Sequence, residues 1–411
     1  MNNSIVVAGV GMTRFAKHLD RSLKSLALEA IAQALGDANV SAGSIQAAYI
    51  GNAAAGVMTG QACVLGEIVL REMGIGRIPV INVENACASA STAFQQAFMM
   101  LSAGFYDVAL AVGVEKLTHP DKQRTFSVFQ GSVDVEDHEG LVRYLAELAG
   151  AESTHTADPA SGGRSIFMDI YAARALQHMR RFGTTQRQFA MVASKNAYHG
   201  SLNSRAQYRD PLSVDEVLAA SPIVYPLTLP MCSPIGDGAA AAILMTEKKA
   251  KELGLSSSPT ILASILTSGW DRSEDDGNDV AAYASALAYE AASVGPDDLD
   301  VVELHDASAP AELILYESLG LAKPGEGSRL LEEGATSLGG RLPVNTSGGL
   351  LRKGHPIGAT GIAQIFELVT QLRGNAGNRQ ASRHRTALAQ NGGGMVRGTT
   401  AACVVTILQS G

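Results

Sequence analysis

Ile78-Pro79-Val80-Ile81-Asn82-Val83-Glu84-Asn85-Ala86-Cys87-Ala88-Ser89-Ala90-Ser91-Thr92-Ala93 carries the pattern from which the fold follows. Its opening is rich in Val and Ile, as a strand is. After Cys87 come small residues, and then Ala93, Phe94, Ala97, Phe98 and Leu101 at helical spacing. Cys87 therefore falls on the turn between strand and helix. A sulfur at a helix N-terminus meets unpaired N–H groups and the positive helix end, which favours a thiolate. The same N–H groups can hold an oxyanion. The stretch predicts an α/β unit that presents a nucleophile for covalent acyl transfer. A lone cysteine in this setting also reads as a small buried packing residue, so the choice rests on the rest of the chain.

Short Val/Ile runs alternate with Ala/Leu-rich helical segments along much of the 411 residues. Examples are Ala48–Gly51, Val108–Gly113 and Ala239–Leu244. Such alternation predicts buried strands layered with helices. With 46% hydrophobic and 18% charged residues, the chain has ample material for a core. A net charge of −8 and the lack of a dense Lys/Arg block argue against nucleic acid as a partner. The weak basic cluster Arg373, Arg379, Arg383 and Arg385 reads as solvated loop or as a contact for an anionic group.

The cysteines Cys63, Cys87, Cys232 and Cys403 form no Cys-x-x-Cys pair, so a dedicated zinc site is not expected. Met1-Asn2-Asn3-Ser4 leads straight into the strand-like Ile5–Val10, without the basic and long apolar regions of a signal peptide. No apolar run is long enough to span a membrane. The expected compartment is a reducing cytoplasm, which keeps Cys87 a thiol.

A weak internal repeat organises the chain. Val83 to Gly104, the strand from Asp107 and the segment Gly236–Leu244 make one copy. Val344-Asn345-Thr346, a glycine-rich turn, a helix through Ile362, Phe366, Leu368 and Leu372, the strand from Thr386 and the segment Gly398–Leu408 make the other. The expected domains are residues 1–115 plus 231–255, an inserted loop domain at 116–230, and residues 256–411. The insert carries Gly162-Gly163-Arg164 and many polar and aromatic residues, as binding surfaces often do. The boundary between halves is expected near Gly254–Pro259.

Three further motifs carry chemistry. Gly348-Gly349-Leu350-Leu351-Arg352-Lys353-Gly354-His355-Pro356-Ile357-Gly358-Ala359-Thr360-Gly361 places His355 on a glycine-rich turn, where it can serve a thiol as base or a leaving thiol as acid. Val301-Val302-Glu303-Leu304-His305-Asp306 ends a buried strand at a polar pair, and strand C-termini are where ligands bind in α/β units. A neutral His305 can donate to a substrate carbonyl, while Asp306 also reads as a helix cap. Gln390-Asn391-Gly392-Gly393-Gly394, on a turn after the strand from Thr386, offers backbone N–H groups for half of an oxyanion hole.

Together these motifs resemble the thiolase superfamily over essentially the whole chain. They stand in family order: Asn85-Ala86-Cys87-Ala88-Ser89, Ser233 to Ala241, Glu303-Leu304-His305-Asp306, the Gly-His-Pro-Ile-Gly-Ala-Thr-Gly string ending at Gly361, and Gly392-Gly393-Gly394. His305-Asp306, where ordinary thiolases have Asn-Glu, is similar to the sterol-carrier-protein-X or lipid-transfer-protein-like branch. The resemblance implies a duplicated five-layer αβαβα sandwich, a homodimeric core and coenzyme A thioesters as substrates, with coenzyme A a co-substrate and no bound cofactor or metal. It makes Cys87 the acyl-accepting nucleophile and His355 its activator. His305 becomes the oxyanion donor on the enolate side. The Cys87 amide with Gly392 or Gly393 becomes the acyl oxyanion hole. It also implies a small zinc-ribbon/OB-fold partner subunit.

The chain departs from the family at one function. The second reactive cysteine is absent: Gln390 stands at its usual place and Ala307 at its place in the His-Asp branch. His305, a water, a tyrosine of the insertion and Tyr283 remain the candidates for its proton chemistry. The leading reading is thiolysis of a branched, aromatic or steroid-derived 3-oxoacyl-CoA. The alternatives are a retro-aldol lyase acting on a 3-hydroxyacyl-CoA and a non-catalytic acyl-CoA-binding subunit.

Overall fold

A computed structural model describes residues 3–150, 164–255, 257–271 and 279–411. Gly162-Gly163 of the insertion and Ser256 of the expected boundary lie outside the described residues. The strands are β1 (Ile5–Met12), β2 (Ala47–Gly51), β3 (Val80–Val83), β4 (Val108–Glu115), β5 (Pro222–Val224), β6 (Leu227–Thr228), β7 (Gly238–Thr246), β8 (Thr260–Ser268), β9 (Val301–Glu303), β10 (Thr386–Val396) and β11 (Thr399–Gln409). β5 and β6 form a small hairpin, and the other nine follow the order β3-β2-β4-β7-β1-β8-β11-β10-β9. β1 and β8 share one register pair, Val6 with Thr260, so the ladder divides there.

The two sides of that division repeat each other. β4 runs antiparallel to β7 and parallel to β2. β10 likewise runs antiparallel to β11 and parallel to β9. Val344 makes an isolated parallel bridge to Val302, as β3 pairs with β2.

Alternation along each strand sets the layers. Ile5 and Val7 of β1, and Ala240, Ala242 and Leu244 of β7, join a core with the helices Ser89–Ser102 and Thr360–Leu372. Their neighbours Val6, Ala8, Ala239, Ala241, Ile243 and Met245 join a second core with the outer helix Leu23–Asp37. In the second half Ala387, Ala389 and Leu408 face the same central helices. Leu388, Cys403, Val405 and Ile407 face the outer helices Val280–Ala292 and Ala309–Ser318. The result is helix, sheet, helix, sheet, helix, the expected αβαβα sandwich. Both sheet faces are covered, and so β7 reads as an unbroken small apolar run rather than an alternation.

The central layer is thin because its helices touch through small residues. A Cβ on Gly361 would sit 2.5 Å from the Ser91 amide nitrogen. One of these helices follows the Cys87 turn and the other follows the His355 turn, so their contact fixes the distance between the two turns.

Between β4 and β7 the chain forms the helices Lys122–Gln130, His138–Ala149, Ile166–Phe182, Gln186–Ser201 and Val214–Ala219. The Ile166–Phe182 helix, capped by Ser165 and ended by Gly183, packs on the Ala309–Ser318 helix and closes one side of a cavity. No described helix is long and apolar enough to cross a membrane.

Candidate active site

β3 ends at Val83 and a single 3-10 turn, Ala86–Ala88, follows. Ala86 holds the left-handed φ of +48°. The Ser89 hydroxyl accepts from the Asn85 N–H at 2.9 Å and donates to the Ala86 carbonyl at 2.7 Å, which stabilises this turn. Cys87 is 8% exposed and lines a cavity of about 350 Å³. The helix proper starts only at Ser89. The expected thiolate is not favoured here. Burial first, and then the nearby Glu115 carboxylate, push the Cys87 thiol up to about 12, although the N–H groups of Cys87 and Gly394 oppose this. The resting group is a thiol because low-dielectric burial outweighs two amides.

His305 follows β9 and His355 follows the short helix Gly349–Lys353. Their rings meet edge to face, with centroids 5.0 Å apart and planes at 85°. The Cys87 sulfur and a nitrogen of each imidazole all lie within 4.8 Å of one another. The structure thus brings the three expected side chains together, and His305, like Cys87, lines the cavity.

Hydrogen bonds fix both tautomers. The Thr360 hydroxyl donates to the Pro356 carbonyl at 3.1 Å, so its oxygen is free to accept from His355 Nδ1–H at 2.7 Å. Nε2 is then the basic nitrogen of His355. At His305, the Asn391 amide donates to Nδ1 at 2.8 Å, while its carbonyl accepts from Ser91 at 2.8 Å. His305 therefore carries its proton on Nε2 and offers it as a donor. Burial lowers His305 to about 4. Burial, His305 and Lys353 hold His355 well below the usual imidazole value. Both rings are neutral near pH 7, as a base and a neutral donor must be.

A thiophilic cation could use the same N₂S set. Zn–N and Zn–S lengths at a tetrahedral angle place ligand atoms about 3.5 Å apart, tighter than the spread seen here.

The neighbours of these residues explain their placement. Asp306 does not cap the following helix, because Ser308 does, accepting from the Ala311 N–H. Asp306 instead accepts from the Leu350 N–H at 2.7 Å and, more weakly, from Leu351 at 3.4 Å. It thereby pins the helix that delivers His355. Gly349, at φ +59°, is required there: a Cβ would strike the Asp306 carboxylate. Glu115 ends β4 and accepts from the N–H groups of Ala53, Ala54 and Gly358, tying the turn after His355 to the first half.

The glycine run is not a strand-ending turn. Gln390 to Gly393 stay in β10, paired with Val405 to Ala402 of β11. Gly394, at φ +63°, drops out of the ladder, and its N–H reaches the Cys87 sulfur. Gly392 and Gly393, the expected donors, line the cavity alongside it. Of the basic cluster, Arg373 pairs with Asp37, Arg379 with Glu367 and Arg383 with Asp300, so these three serve structural ion pairs. Tyr283 is half-exposed and stacks edge-on with Trp270 outside the cavity lining, whereas Tyr171 of the insertion lines it.

Sequence reasoning missed Glu115 and Thr360 as partners of the site; it held Gly394 within the glycine run and a tyrosine of the insertion among its candidates, without singling out Tyr171. Of the two missed, Glu115 left a signal, as a lone acid closing the apolar run Val108–Val114.

The duplicated sandwich, with a cysteine and a neutral histidine lining one cavity and a second neutral histidine beside them, defines an acyl-transferring α/β enzyme. Comparison with known proteins makes this specific. Residues 5–248 match the thiolase N-terminal domain and residues 268–408 the thiolase C-terminal domain-like family. The chain belongs to the thiolase family, in its sterol carrier protein 2 branch, and is a coenzyme A-dependent acyl-CoA acyltransferase. It is 35% identical over 418 residues to human sterol carrier protein 2, covering 99% of this chain and 72% of that one. It is 34% identical over 378 residues to benzoylsuccinyl-CoA thiolase subunit BbsB of Thauera aromatica, covering 91% and 90%. In fold it is similar to the solved Ltp2-ChsH2(DUF35) aldolase, with a TM-score of 0.78, 24% identity and coverage of 99% and 98%.

Proposed function

We propose that this enzyme cleaves branched, aromatic or steroid-derived 3-oxoacyl-CoA thioesters by thiolysis through an acyl-Cys87 intermediate. The observation that carries the reading is the convergence of Cys87, His305 and His355 within 4.8 Å beside a cavity walled by Phe167, Ile170, Tyr171 and Ile314. Such a wall suits a bulky apolar acyl group.

The substrate ketone binds against Cys87. His355 Nε2 takes the thiol proton as sulfur attacks, which the buried, high-pKa thiol requires. The N–H groups of Cys87 and Gly394 hold the developing oxyanion, with Gly392 and Gly393 shaping the strand beside it. The Cα–Cβ bond then breaks, and His305 Nε2–H holds the enolate oxygen. Coenzyme A finally takes the acyl group from Cys87.

The relative named benzoylsuccinyl-CoA thiolase subunit supports both the aromatic substrate class and a partner subunit. On this reading the chain works in a reducing cytoplasm as a homodimer with a small zinc-ribbon/OB-fold partner. Residues 1–115 with 231–255 and residues 256–411 are its catalytic halves, and 116–230 is the loop domain that receives the acyl group.

Initial rates of coenzyme A-dependent cleavage across a thioester panel test this. An α-branched or aryl 3-oxoacyl-CoA should exceed acetoacetyl-CoA by about tenfold or more in kcat/KM. A preference for linear acetoacetyl-CoA would overturn the substrate class.

A further inference from the structure

Thiolysis leaves an enolate, and a proton must reach its α-carbon. No cysteine is placed to supply it. Cys63 is exposed and lies off the cavity. Cys403 accepts from the Gln390 side chain at 3.4 Å, and Cys232 donates to the Thr228 carbonyl at 3.6 Å; neither lines the cavity. Gln390, in the place of the missing thiol, is itself committed, since its Oε1 accepts from the His305 N–H at 3.2 Å. His305 can hold the enolate oxygen, but surrendering its single ring proton would leave an imidazolate.

Two tyrosines line the cavity. The Tyr144 hydroxyl already donates to the Gly398 carbonyl at 3.2 Å. The Tyr171 hydroxyl has no hydrogen-bond partner among the described residues, and its side chain lines the same cavity wall as Cys87, Arg174 and His305. We propose that Tyr171 delivers the α-carbon proton during thiolysis, in the role for which this chain has no second cysteine. The assignment rests on the thiolytic reading above.

The proton count closes. As the Cα–Cβ bond breaks, its electron pair forms the enolate, and the Tyr171 O–H proton passes to Cα, leaving a phenolate. The phenolate takes the proton of the incoming coenzyme A thiol. The resulting thiolate attacks acyl-Cys87, the Cys87 thiolate leaves, and His355 returns the proton it had taken. Burial raises the Tyr171 phenol above its ordinary value, so the resting group is the acid. In the reverse direction the departing coenzyme A thiolate takes the Tyr171 proton, and the phenolate so formed removes the α-proton of the second acyl-CoA.

Tyr171→Phe tests this in the full chain. The S-phenyl ester of the acyl group acylates Cys87 with a leaving thiolate that needs no proton. The variant should form this adduct within about threefold of the wild-type rate, which also reports a folded site. Its coenzyme A-dependent cleavage of 2-methyl-3-oxoacyl-CoA should fall by about 10²–10³-fold in kcat. In D₂O the wild type should place deuterium on the propionyl-CoA α-carbon in one configuration, and the variant should give both. Normal acylation, cleavage within threefold and a single configuration in the variant would overturn the assignment while leaving thiolysis standing. No Cys87 adduct in the wild type would overturn thiolysis and Tyr171 together.

Discussion

Cys87 meets two opposed influences: amide N–H groups that favour its anion, and burial with the Glu115 carboxylate that disfavour it. The second wins, so the site holds a thiol beside a neutral imidazole rather than an ion pair. Because the thiol sits near 12, its alkylation by iodoacetamide should accelerate about tenfold per pH unit from pH 6 to 9 with no plateau. A plateau reached below pH 8 would show a preformed thiolate–imidazolium pair and contradict the account. Cys87, His305 and His355 were legible in the sequence because each sits where a strand or a glycine-rich turn ends. Their controllers were not. Asn391 fixes the tautomer of His305 across 86 residues and Glu115 holds Gly358 across 243, and no local pattern encodes such separations.

At the scale of elements, the ends of strands and helices set the reacting distances. Glu115 closes β4 against the loop at Ala53-Ala54 and the turn after His355, and burial raises its carboxyl to about 7. Its folded value lies above the ordinary 4.5, so between those values the native state keeps a proton that the unfolded chain has lost. This group's contribution to stability therefore falls as pH rises from about 4.5 to about 7 and stays low above. Glu115→Gln removes that dependence. The stability difference between variant and wild type should shift in the variant's favour by about 3 kcal/mol between pH 4.5 and 8, followed by urea unfolding. A difference that stays constant with pH would contradict it. Gly361 lets the helix behind His355 cross the helix behind Cys87. Gly361→Ala should cost about 1–3 kcal/mol and lower activity by spreading the two turns, read by thermal unfolding beside kcat. Unchanged stability would show that the helices yield without effect. The strands and central helices were legible from their Val/Ile and Ala/Leu patterns. The glycine run of β10 was not, because glycine density signals a turn locally while pairing with β11 holds Gln390 to Gly393 extended.

Across the whole molecule, duplication explains why one site needs both halves: Cys87 comes from the first, and His305, His355 and Gly394 come from the second. The repeat, the insertion and the αβαβα layering were readable because strand and helix signals recur in the same order. Which wall of the cavity the insertion builds was not readable, since Tyr144 and Tyr171 reach the site only through tertiary packing of their helices. The basic cluster near the C-terminus was ambiguous in sequence for the same reason, its acids Asp37, Asp300 and Glu367 being distant or on other elements. The central claim is that acyl groups pass through Cys87. Intact-protein mass after mixing with α-branched and aryl 3-oxoacyl-CoA thioesters, wild type beside Cys87→Ala, tests it most directly. The account predicts an acyl adduct on the wild type that is absent from the variant, with thiolysis lost in the variant. No adduct on the wild type, with product still released by Cys87→Ala, would contradict it and establish cleavage without a covalent acyl intermediate.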